Sequence, residues 1–213
     1  MTTLYLIRHS IKEKNYGIFD NNDTFQLNDE KEILSCEGEK SAKLLSMNTE
    51  LQNIDEIWTS NYVRTAQTAK YICKNNNIKI NISSAFDERH YGTFNKNISM
   101  DEFEEFWINQ FKDENLKNSD GESRLDVANR INLKINEIIS KNNNKKIAIV
   151  AHNACILFYL LRYCKLEKAE PIKKITISFN GKLLIINGIM KAPSIMKLEF
   201  EEKRLVDINY FEI

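Results

Sequence analysis

The sequence predicts an α/β fold built on an open, mostly parallel sheet. Short apolar runs alternate with helical patterns from the first residues onward, which is typical of strands joined by helical crossovers. The 213 residues can bury a sizeable core, and no internal repeat or linker rich in proline and glycine divides them. We therefore expect a single α/β domain over residues 1–213, although two small domains would also fit this length.

The first half of the chain contains a predicted strand, helix, strand unit. Its strands are expected at 4–7, which reads as a buried apolar run, and at 56–59 and 78–82. Ser35 is suited to cap a helix over 36–47, and a second helix follows a cap at Ser60-Asn61. The inward face of that second helix consists of Val63, Ala66, Ala69, Ile72 and Cys73.

The second half adds two capped helices and a group of antiparallel strands. Ser99 with Glu102 has the capping-box spacing, and Ser123 with Asp126 begins a further helix. The aromatic stripe of the first of these helices, which we interpret as core, is Phe103, Phe106, Trp107 and Phe111. The remaining elements, in chain order, are a buried strand at 147–151, an apolar helix at 154–163, a hairpin turn at 179–182, and an antiparallel pair at 195–200 and 205–209.

The composition excludes several classes of protein. Apolar residues make up 42% and charged residues 28%, which excludes collagen-like and wholly disordered chains. No window is apolar enough to span a bilayer, because His152 and Asn153 interrupt the longest one. Lys and Arg total 30, as do Asp and Glu, so no excess of positive charge favours nucleic acid or an anionic membrane as a partner. Any anion site must therefore be local.

The cysteines and the first residues indicate the cellular compartment. The four cysteines show no paired spacing, so neither a disulfide framework nor a zinc knuckle is expected. The first residues lack the basic and apolar regions of a signal peptide. We expect a cytoplasmic protein, and the sequence leaves a homodimer open.

Charged and polar residues follow two of the predicted strands directly. Arg8-His9 comes after the first strand, and His152-Asn153 comes after the strand at 147–151. Because ligands of parallel sheets bind outside the carboxyl ends of the strands, both histidines are expected to meet in one crevice. Arg64, one turn into the second predicted helix, can point into the same crevice.

Two arginines and two histidines would form a small cationic pocket in a neutral protein. Arginine is suited to bidentate binding of phosphate oxygens, and the helix that begins near Ala154 would add N–H donors. We therefore expect a phosphate group as the ligand. A metal is disfavoured, because the arginines would repel a cation and the three histidines match no common zinc spacing. No cofactor is expected.

Six segments also follow one another in a recognisable order. They are Leu4 to His9, Leu34 to Gly38, Thr59-Ser60 with Arg64 to Ala69, Asp87 to Gly92, Gly121 to Ser123, and Ile147 to His152. In this order and spacing they resemble the motifs of the histidine phosphatase superfamily, the phosphoglycerate-mutase-like group with an Arg-His nucleophile. The resemblance implies a three-layer α/β/α fold with a mostly parallel central sheet, and lid segments around 16–34 and 86–118.

The resemblance also implies a phosphohistidine mechanism and assigns its residues by position. The implied catalytic residues are His9 as nucleophile, Glu88 as acid and base, and Arg8, Arg64 and a protonated His152 as stabilisers of phosphate charge. The implied substrate-binding residues are Arg8, His9, Asn15, Arg64, Arg89, His152 and Asn153. A neutral imidazole would attack phosphorus, and Glu88 would protonate the leaving alkoxide and then deprotonate water.

Three positions near the pocket depart from the family pattern. Ser10 and Asn153 stand where glycine is usual, and Lys12 stands where serine or threonine is usual. A side chain at either former glycine would narrow the phosphate site or reposition its N–H donors. Lys12 would add a mobile charge.

Three functions fit these residues, and we rank them. The first is a phosphomonoester hydrolase that acts on a small phosphorylated metabolite through a phosphohistidine. The second is a 2,3-bisphosphoglycerate-dependent phosphoglycerate mutase, which segment 88–92 favours but which lacks paired arginines in an acidic lid region. The third is a non-catalytic protein that binds a phosphate ligand, if Ser10 and Asn153 have disabled turnover.

Overall fold

The computed structural model describes residues 1–14, 25–92, 99–170 and 174–212. The chain divides into two compact units. The first unit consists of Met1–Glu88, Glu137–His152 and Lys191–Ile213, and the second of Arg89–Asn136 and Asn153–Met190. The expectation of one domain with two lid segments stays a prediction, and residues 16–24 and 93–98 of those segments lie outside the described part.

Nine strands and six α-helices lie within the described ranges. The strands are β1 (Thr2–Arg8), β2 (Glu56–Thr59), β3 (Ile80–Ile82), β4 (Lys146–Ala151), β5 (Lys165–Glu170), β6 (Lys174–Phe179), β7 (Lys182–Gly188), β8 (Ser194–Glu201) and β9 (Arg204–Glu212). The helices are α1 (Phe25–Lys31), α2 (Cys36–Leu45), α3 (Val63–Asn76), α4 (Met100–Asn109), α5 (Arg124–Lys141) and α6 (Asn153–Leu160). None of these helices is long and apolar enough to cross a membrane.

A six-stranded sheet forms the centre of the first unit. Its order is β3-β2-β4-β1-β8-β9. The first four strands are parallel to one another, β8 is antiparallel to β1, and β9 is antiparallel to β8. Arg8 at the end of β1 is paired with Ala151 at the end of β4, and Thr59 of β2 with Val150. Three parallel strands therefore end at the same edge of the sheet. This sheet confirms the predicted α/β class and the closing antiparallel pair.

The core of the first unit explains why the central strands are continuous apolar runs. Strands β1 and β4 are buried along almost their whole length, as expected for strands covered on both faces. One cluster joins them to α2 and α3 through Tyr5, Ile7, Leu45, Ile57, Ala69, Ile72, Ala148 and Val150. Burial of these side chains holds α3 against the sheet and so fixes the residues in its first turn.

The second unit combines helices with a small antiparallel sheet of order β5-β6-β7. The aromatic stripe of α4 is centred on Trp107, which is fully buried against Phe158 and Phe111 at ring-centroid distances of 6.3 and 5.2 Å. Trp107 confirms the interpretation of this stripe as core, whereas Phe103, Phe106 and Phe111 are partly exposed. The predicted turn between β6 and β7 is also present, with Asn180 and Gly181 both at positive φ.

Several helix boundaries agree with their predicted capping signals, and one does not. Ser35 caps α2, and Ser99 with Glu102 forms a complete capping box at α4. The predicted cap of α3 at Ser60-Asn61 is wrong, because the N-cap residue is Tyr62. Asn61 instead donates from its backbone and side chain to the Asp87 carboxylate at 2.8 and 3.0 Å.

Candidate active site

Two histidines meet at the carboxyl ends of the central strands. His9 follows β1, and its backbone N–H donates to the carbonyl of Ala151 at 3.0 Å, which extends the parallel ladder past the strand. His152 follows β4. The two rings lie 5.2 Å apart between centroids, tilted by 60°, and both are buried.

Arg64 connects the two histidines. It lies in the first turn of α3, and its side chain is only 3% exposed. Its Nε donates to His9 Nε2 at 3.2 Å, and its Nη2 contacts His152 Nδ1 at 3.2 Å. The guanidinium also lies 4.7 Å from the centroid of the Tyr62 ring. The arginine expected from the helix after the second strand therefore reaches both rings.

The hydrogen bonds of His9 assign its tautomer. Nδ1 lies 2.7 Å from the carbonyl oxygen of Ser10, which can only accept, so Nδ1 carries the proton. Nε2 then has a lone pair, which accepts from Arg64. Burial, followed by the charges of Arg64 and Arg8, holds the pKa of His9 well below its usual value of 6.5. A neutral ring with an unprotonated Nε2 is the nucleophilic form of histidine.

His152 is held by a chain of hydroxyl groups. Its Nε2 lies 2.8 Å from Ser60 Oγ, and Ser60 Oγ lies 2.9 Å from Thr65 Oγ1. Because Arg64 can only donate, His152 Nδ1 accepts and Nε2 donates to Ser60. These contacts fit a neutral ring, whereas the sequence analysis expected a protonated one.

Further hydrogen bonds hold the loop that carries Ser60. Asp87, which is buried, accepts the two hydrogen bonds from Asn61. The backbone N–H of Tyr62 donates to Ser60 Oγ at 3.2 Å. Sequence reasoning assigned Ser60 only a helix cap, although its place after β2 is the same signal that identified His9 and His152.

Arg8 and Glu88 add one charge of each sign. Burial lowers the pKa of Arg8, and the carboxylate of Glu88 acts in the opposite direction, as does Tyr210. Glu88 therefore lies within electrostatic range of Arg8. The Glu88 side chain is half-buried.

Two acidic residues make the pocket less cationic than the sequence suggested. Asp29 of α1 and Glu32, just after α1, form ion pairs with Arg64 at 3.1 and 3.4 Å. Lys12 binds Glu32 at 2.6 Å. Sequence reasoning missed both acids, because they lie in a polar segment without any motif and reach Arg64 through a contact between distant parts of the chain.

The Ser10 side chain is engaged away from the two histidines. Its Oγ donates to the carbonyl of Gly38 in α2 at 2.7 Å, and its backbone N–H donates to Thr68 Oγ1 at 3.0 Å. Ser10 thus joins the loop after β1 to α2 and α3. This placement differs from the expected narrowing of the phosphate site.

The resemblance implied three further substrate-binding residues, Asn15, Arg89 and Asn153. Asn15 lies outside the described residues. Arg89 is buried in the second unit and donates to Gln110 and to the carbonyl of Glu122, contacts that favour a structural role. Asn153 is the first residue of α6 in the same unit. Their roles toward a substrate stay predictions. Across the described ranges, no group of three or more His, Cys, Asp or Glu residues is arranged to hold a metal ion.

This cluster defines a class of α/β protein in which a histidine–arginine site lies at the carboxyl edge of a mostly parallel sheet. The chain belongs to the histidine phosphatase superfamily, branch 1, whose family model matches residues 4–199. The family resemblance read from the sequence is thereby confirmed. No curated protein matches the chain in sequence.

Several solved structures, among them phosphatases, have the same fold. The mycobacterial glucosyl-3-phosphoglycerate phosphatase is 19% identical with a TM-score of 0.67, and the alignment covers 92% of this chain and 89% of that one. A mutant phosphoserine phosphatase from Entamoeba histolytica, in complex with phosphoserine, is 20% identical with a TM-score of 0.65, covering 98% and 97%. YhfR from Bacillus stearothermophilus is 19% identical with a TM-score of 0.67, covering 97% and 95%. This likeness confirms the predicted three-layer, phosphoglycerate-mutase-like fold.

Proposed function

We propose that this protein is a phosphomonoester hydrolase that forms a phosphohistidine on His9. The observation that carries the proposal is the state of His9, a buried neutral ring whose Nδ1 is fixed by Ser10 and whose Nε2 keeps a lone pair 3.2 Å from Arg64 Nε. A protein that only binds phosphate does not need a histidine held in its nucleophilic form. This argument ranks the hydrolase above the non-catalytic alternative.

The reaction has two steps. In the first, His9 Nε2 forms a bond to phosphorus while the bond to the substrate alkoxide breaks, and Glu88 gives its proton to the leaving oxygen. In the second, Glu88 takes a proton from water, the oxygen attacks phosphorus, and the bond to Nε2 breaks to give inorganic phosphate. Arg8 and Arg64 stabilise the charge on the phosphoryl oxygens throughout.

The substrate class is a small phosphorylated metabolite. Structures with the same fold include the glucosyl-3-phosphoglycerate phosphatase with inorganic phosphate and the phosphoserine phosphatase mutant with phosphoserine. These relatives support a phosphomonoester as substrate and do not define its organic part. A mutase ranks lower, because Arg89, a candidate to hold a sugar acid, is bonded within the second unit. Interconversion of 3- and 2-phosphoglycerate that is much faster than phosphate release would reverse this ranking.

The direct test is to trap the intermediate. A phosphoramidate is stable in alkali and labile in acid, so brief incubation with a labelled phosphomonoester and an alkaline quench should leave label on the wild-type protein. His9→Ala should retain none, while circular dichroism shows it folded. His90→Asn is the matched control, because it removes another histidine and should retain label. Label on His9→Ala equal to that on wild type would remove His9 as nucleophile.

The role of Glu88 is measured in the same assay. Glu88→Gln keeps the shape of the side chain but cannot transfer a proton. It should slow the release of an alkyl alcohol more than that of p-nitrophenolate, which leaves without protonation. Equal slowing of both leaving groups in a single turnover would assign the general acid to another residue.

A further inference from the structure

The terminal nitrogens of Arg64 are occupied by carboxylates of the same chain. Nη2 donates to Asp29 Oδ2 at 3.1 Å, and Nη1 forms an ion pair with Glu32 Oε2 at 3.4 Å and donates to the backbone carbonyl of Asp29. The side chains of Asp29 and Glu32 are 21% and 17% exposed, so these contacts are largely shielded from water. This shielding distinguishes them from ordinary surface ion pairs.

Carboxylate and phosphate groups compete for the same N–H donors of a guanidinium. Both present oxygens that accept two parallel N–H bonds from the arginine fork. In Arg64 the third donor, Nε, is already directed at His9. Nη2 also contacts His152 Nδ1, so a phosphate group that binds next to His9 through Nη1 or Nη2 competes with Asp29, Glu32 and His152 for the donors of Arg64.

The segment after α1 is attached to the loop that carries the nucleophile. Lys12 Nζ contacts both carboxylate oxygens of Glu32, at 2.8 and 2.6 Å. Glu13 N donates to the carbonyl of Ile33 at 2.9 Å, and Lys12 forms an isolated antiparallel bridge with Leu34. Lys12 is also one of the positions that depart from the family pattern. Lys12 thus holds Glu32, one of the two acids, near Arg64.

We propose that Asp29 and Glu32 are an intramolecular competitor of the phosphate group at Arg64. The inference rests on the proposed function, because it takes Arg64 as a phosphate ligand. Apparent affinity for phosphate is then lower than the intrinsic affinity by the fraction of molecules in which Arg64 is free of these acids. This competition raises the Kd of a phosphate ester and the Kd of inorganic phosphate by the same factor. The acids therefore weaken retention of the inorganic phosphate product without changing the ratio of the two affinities.

Binding of inorganic phosphate to the full chain, measured by isothermal titration calorimetry, tests this inference. The double variant Asp29→Asn, Glu32→Gln should bind phosphate about tenfold more tightly than wild type, as expected when charged hydrogen-bond partners are removed from the competing state. Glu30→Gln is the matched control. It removes one negative charge next to Asp29 in α1, but Glu30 accepts from Gln26 and not from Arg64. The Kd of this variant should stay within about twofold of wild type, because the Glu30 carboxylate does not compete for Arg64.

A background without the arginine isolates the competition. In Arg64→Lys, which has no fork for two carboxylates, the two acid substitutions should change the Kd for phosphate by less than about twofold. The inference is overturned if the double variant has an unchanged or higher Kd while its urea midpoint shows that it is folded. That result would mean that the acids orient Arg64 for phosphate or do not compete with phosphate.

The outcome is separable from that of the proposed function. Phosphate binding requires no turnover, whereas trapping on His9 does. Tighter binding by the double variant without any trapped phosphohistidine supports the competition and removes the hydrolase. Trapped phosphohistidine with equal Kd values overturns the competition and leaves the hydrolase in place. Absence of phosphate binding in every variant overturns the competition, and trapping on His9 alone then decides the hydrolase.

Discussion

The ring of His9 is buried between two arginines, and each of these charges acts against its protonation. A histidine in water is partly protonated near neutral pH, with a pKa of about 6.5. Here the lone pair on Nε2 is preserved by burial and by Arg64 and Arg8, while Ser10 fixes the other nitrogen. The reactivity that we propose for His9 therefore depends on its neighbours, and removing them would change its titration.

The free energy of unfolding should depend on pH, because folding suppresses the protonation of His9. Because the folded pKa of His9 lies well below that of the unfolded chain, the unfolded state binds the extra proton between the two values. The contribution of His9 to the free energy of unfolding is then complete above about pH 6.5 and falls as the pH drops, by up to about 1.4 kcal/mol per pH unit. Urea unfolding of wild type and His9→Gln at several pH values between neutrality and pH 5 measures this difference. Wild type should lose more stability than the variant, and parallel losses would show that His9 titrates normally in the fold.

The residues of the site were predictable to different degrees. His9 and His152 were found because each directly follows a buried strand, a signal that is local in the sequence. Asp29 and Glu32 had no such signal, since an acid in a polar segment is usually solvated and only the folded chain brings it to Arg64. The sequence analysis expected a protonated His152, whereas the hydrogen bonds of His152 to Ser60 and Arg64 fit a neutral ring, and such contacts cannot be read from the sequence.

At the scale of elements, α2 shows why one motif of the sequence contains a glycine. A Cβ at Gly38 would lie 1.9 Å from the carbonyl oxygen of Ile11, so α2 contacts the backbone of the loop after β1 without any side chain between them. The Ser10 hydroxyl completes this contact by donating to Gly38 O. The position of α2 thereby fixes the residues that immediately follow the nucleophile.

Gly38→Ala should accordingly destabilise the protein by about 1–3 kcal/mol, the usual range when a well-packed site is overfilled. It should also slow turnover, because the loop that positions His9 must move. Gly188→Ala is the control, since its added Cβ would meet Ile186 O at an ordinary 3.5 Å. Urea midpoints of the two variants make the comparison. A midpoint for Gly38→Ala equal to that of Gly188→Ala would mean that α2 can shift at little cost.

The elements that the sequence predicted share strong periodic or capping signals, and those it missed lack them. Strands β1, β2 and β4 are apolar runs, and Ser99 with Glu102 marks the start of α4 by side-chain chemistry alone. Strand β5 was missed because it reads Lys-Leu-Glu-Lys-Ala-Glu and is largely exposed at one edge of its sheet. Helix α1 was missed because it has only seven residues, of which Phe25 and Leu27 alone are apolar. Tertiary contacts stabilise such elements, and a single sequence does not report them.

For the whole molecule, the equal numbers of positive and negative residues make every charge effect at the site local. With no net charge to attract anions from a distance, binding of a phosphate group depends on the few charges within a Debye length. Among the described residues, the charges at the site include Arg8, Arg64 and Lys12 on one side and Asp29, Glu32 and Glu88 on the other. Under the proposed function, the two arginines supply the positive charge for phosphoryl transfer, and Asp29 and Glu32 compete with the substrate for Arg64.

Hydrolysis of p-nitrophenyl phosphate should therefore proceed without added metal. Arg8 and Arg64 supply the positive charge that a divalent ion supplies in other phosphatases, so EDTA should leave the rate within about twofold of its value in buffer. Arg64→Ala should lower kcat by at least about 100-fold, as expected when a positioned cationic donor is lost at the transferring group, and added Mg²⁺ should not restore it. Glu30→Gln, which leaves Arg64 and its partners intact, should retain the wild-type rate in both conditions. Loss of most wild-type activity in EDTA with recovery on adding a divalent ion would instead assign the charge stabilisation to a metal, and the arginines would then be ligands that only orient the phosphate.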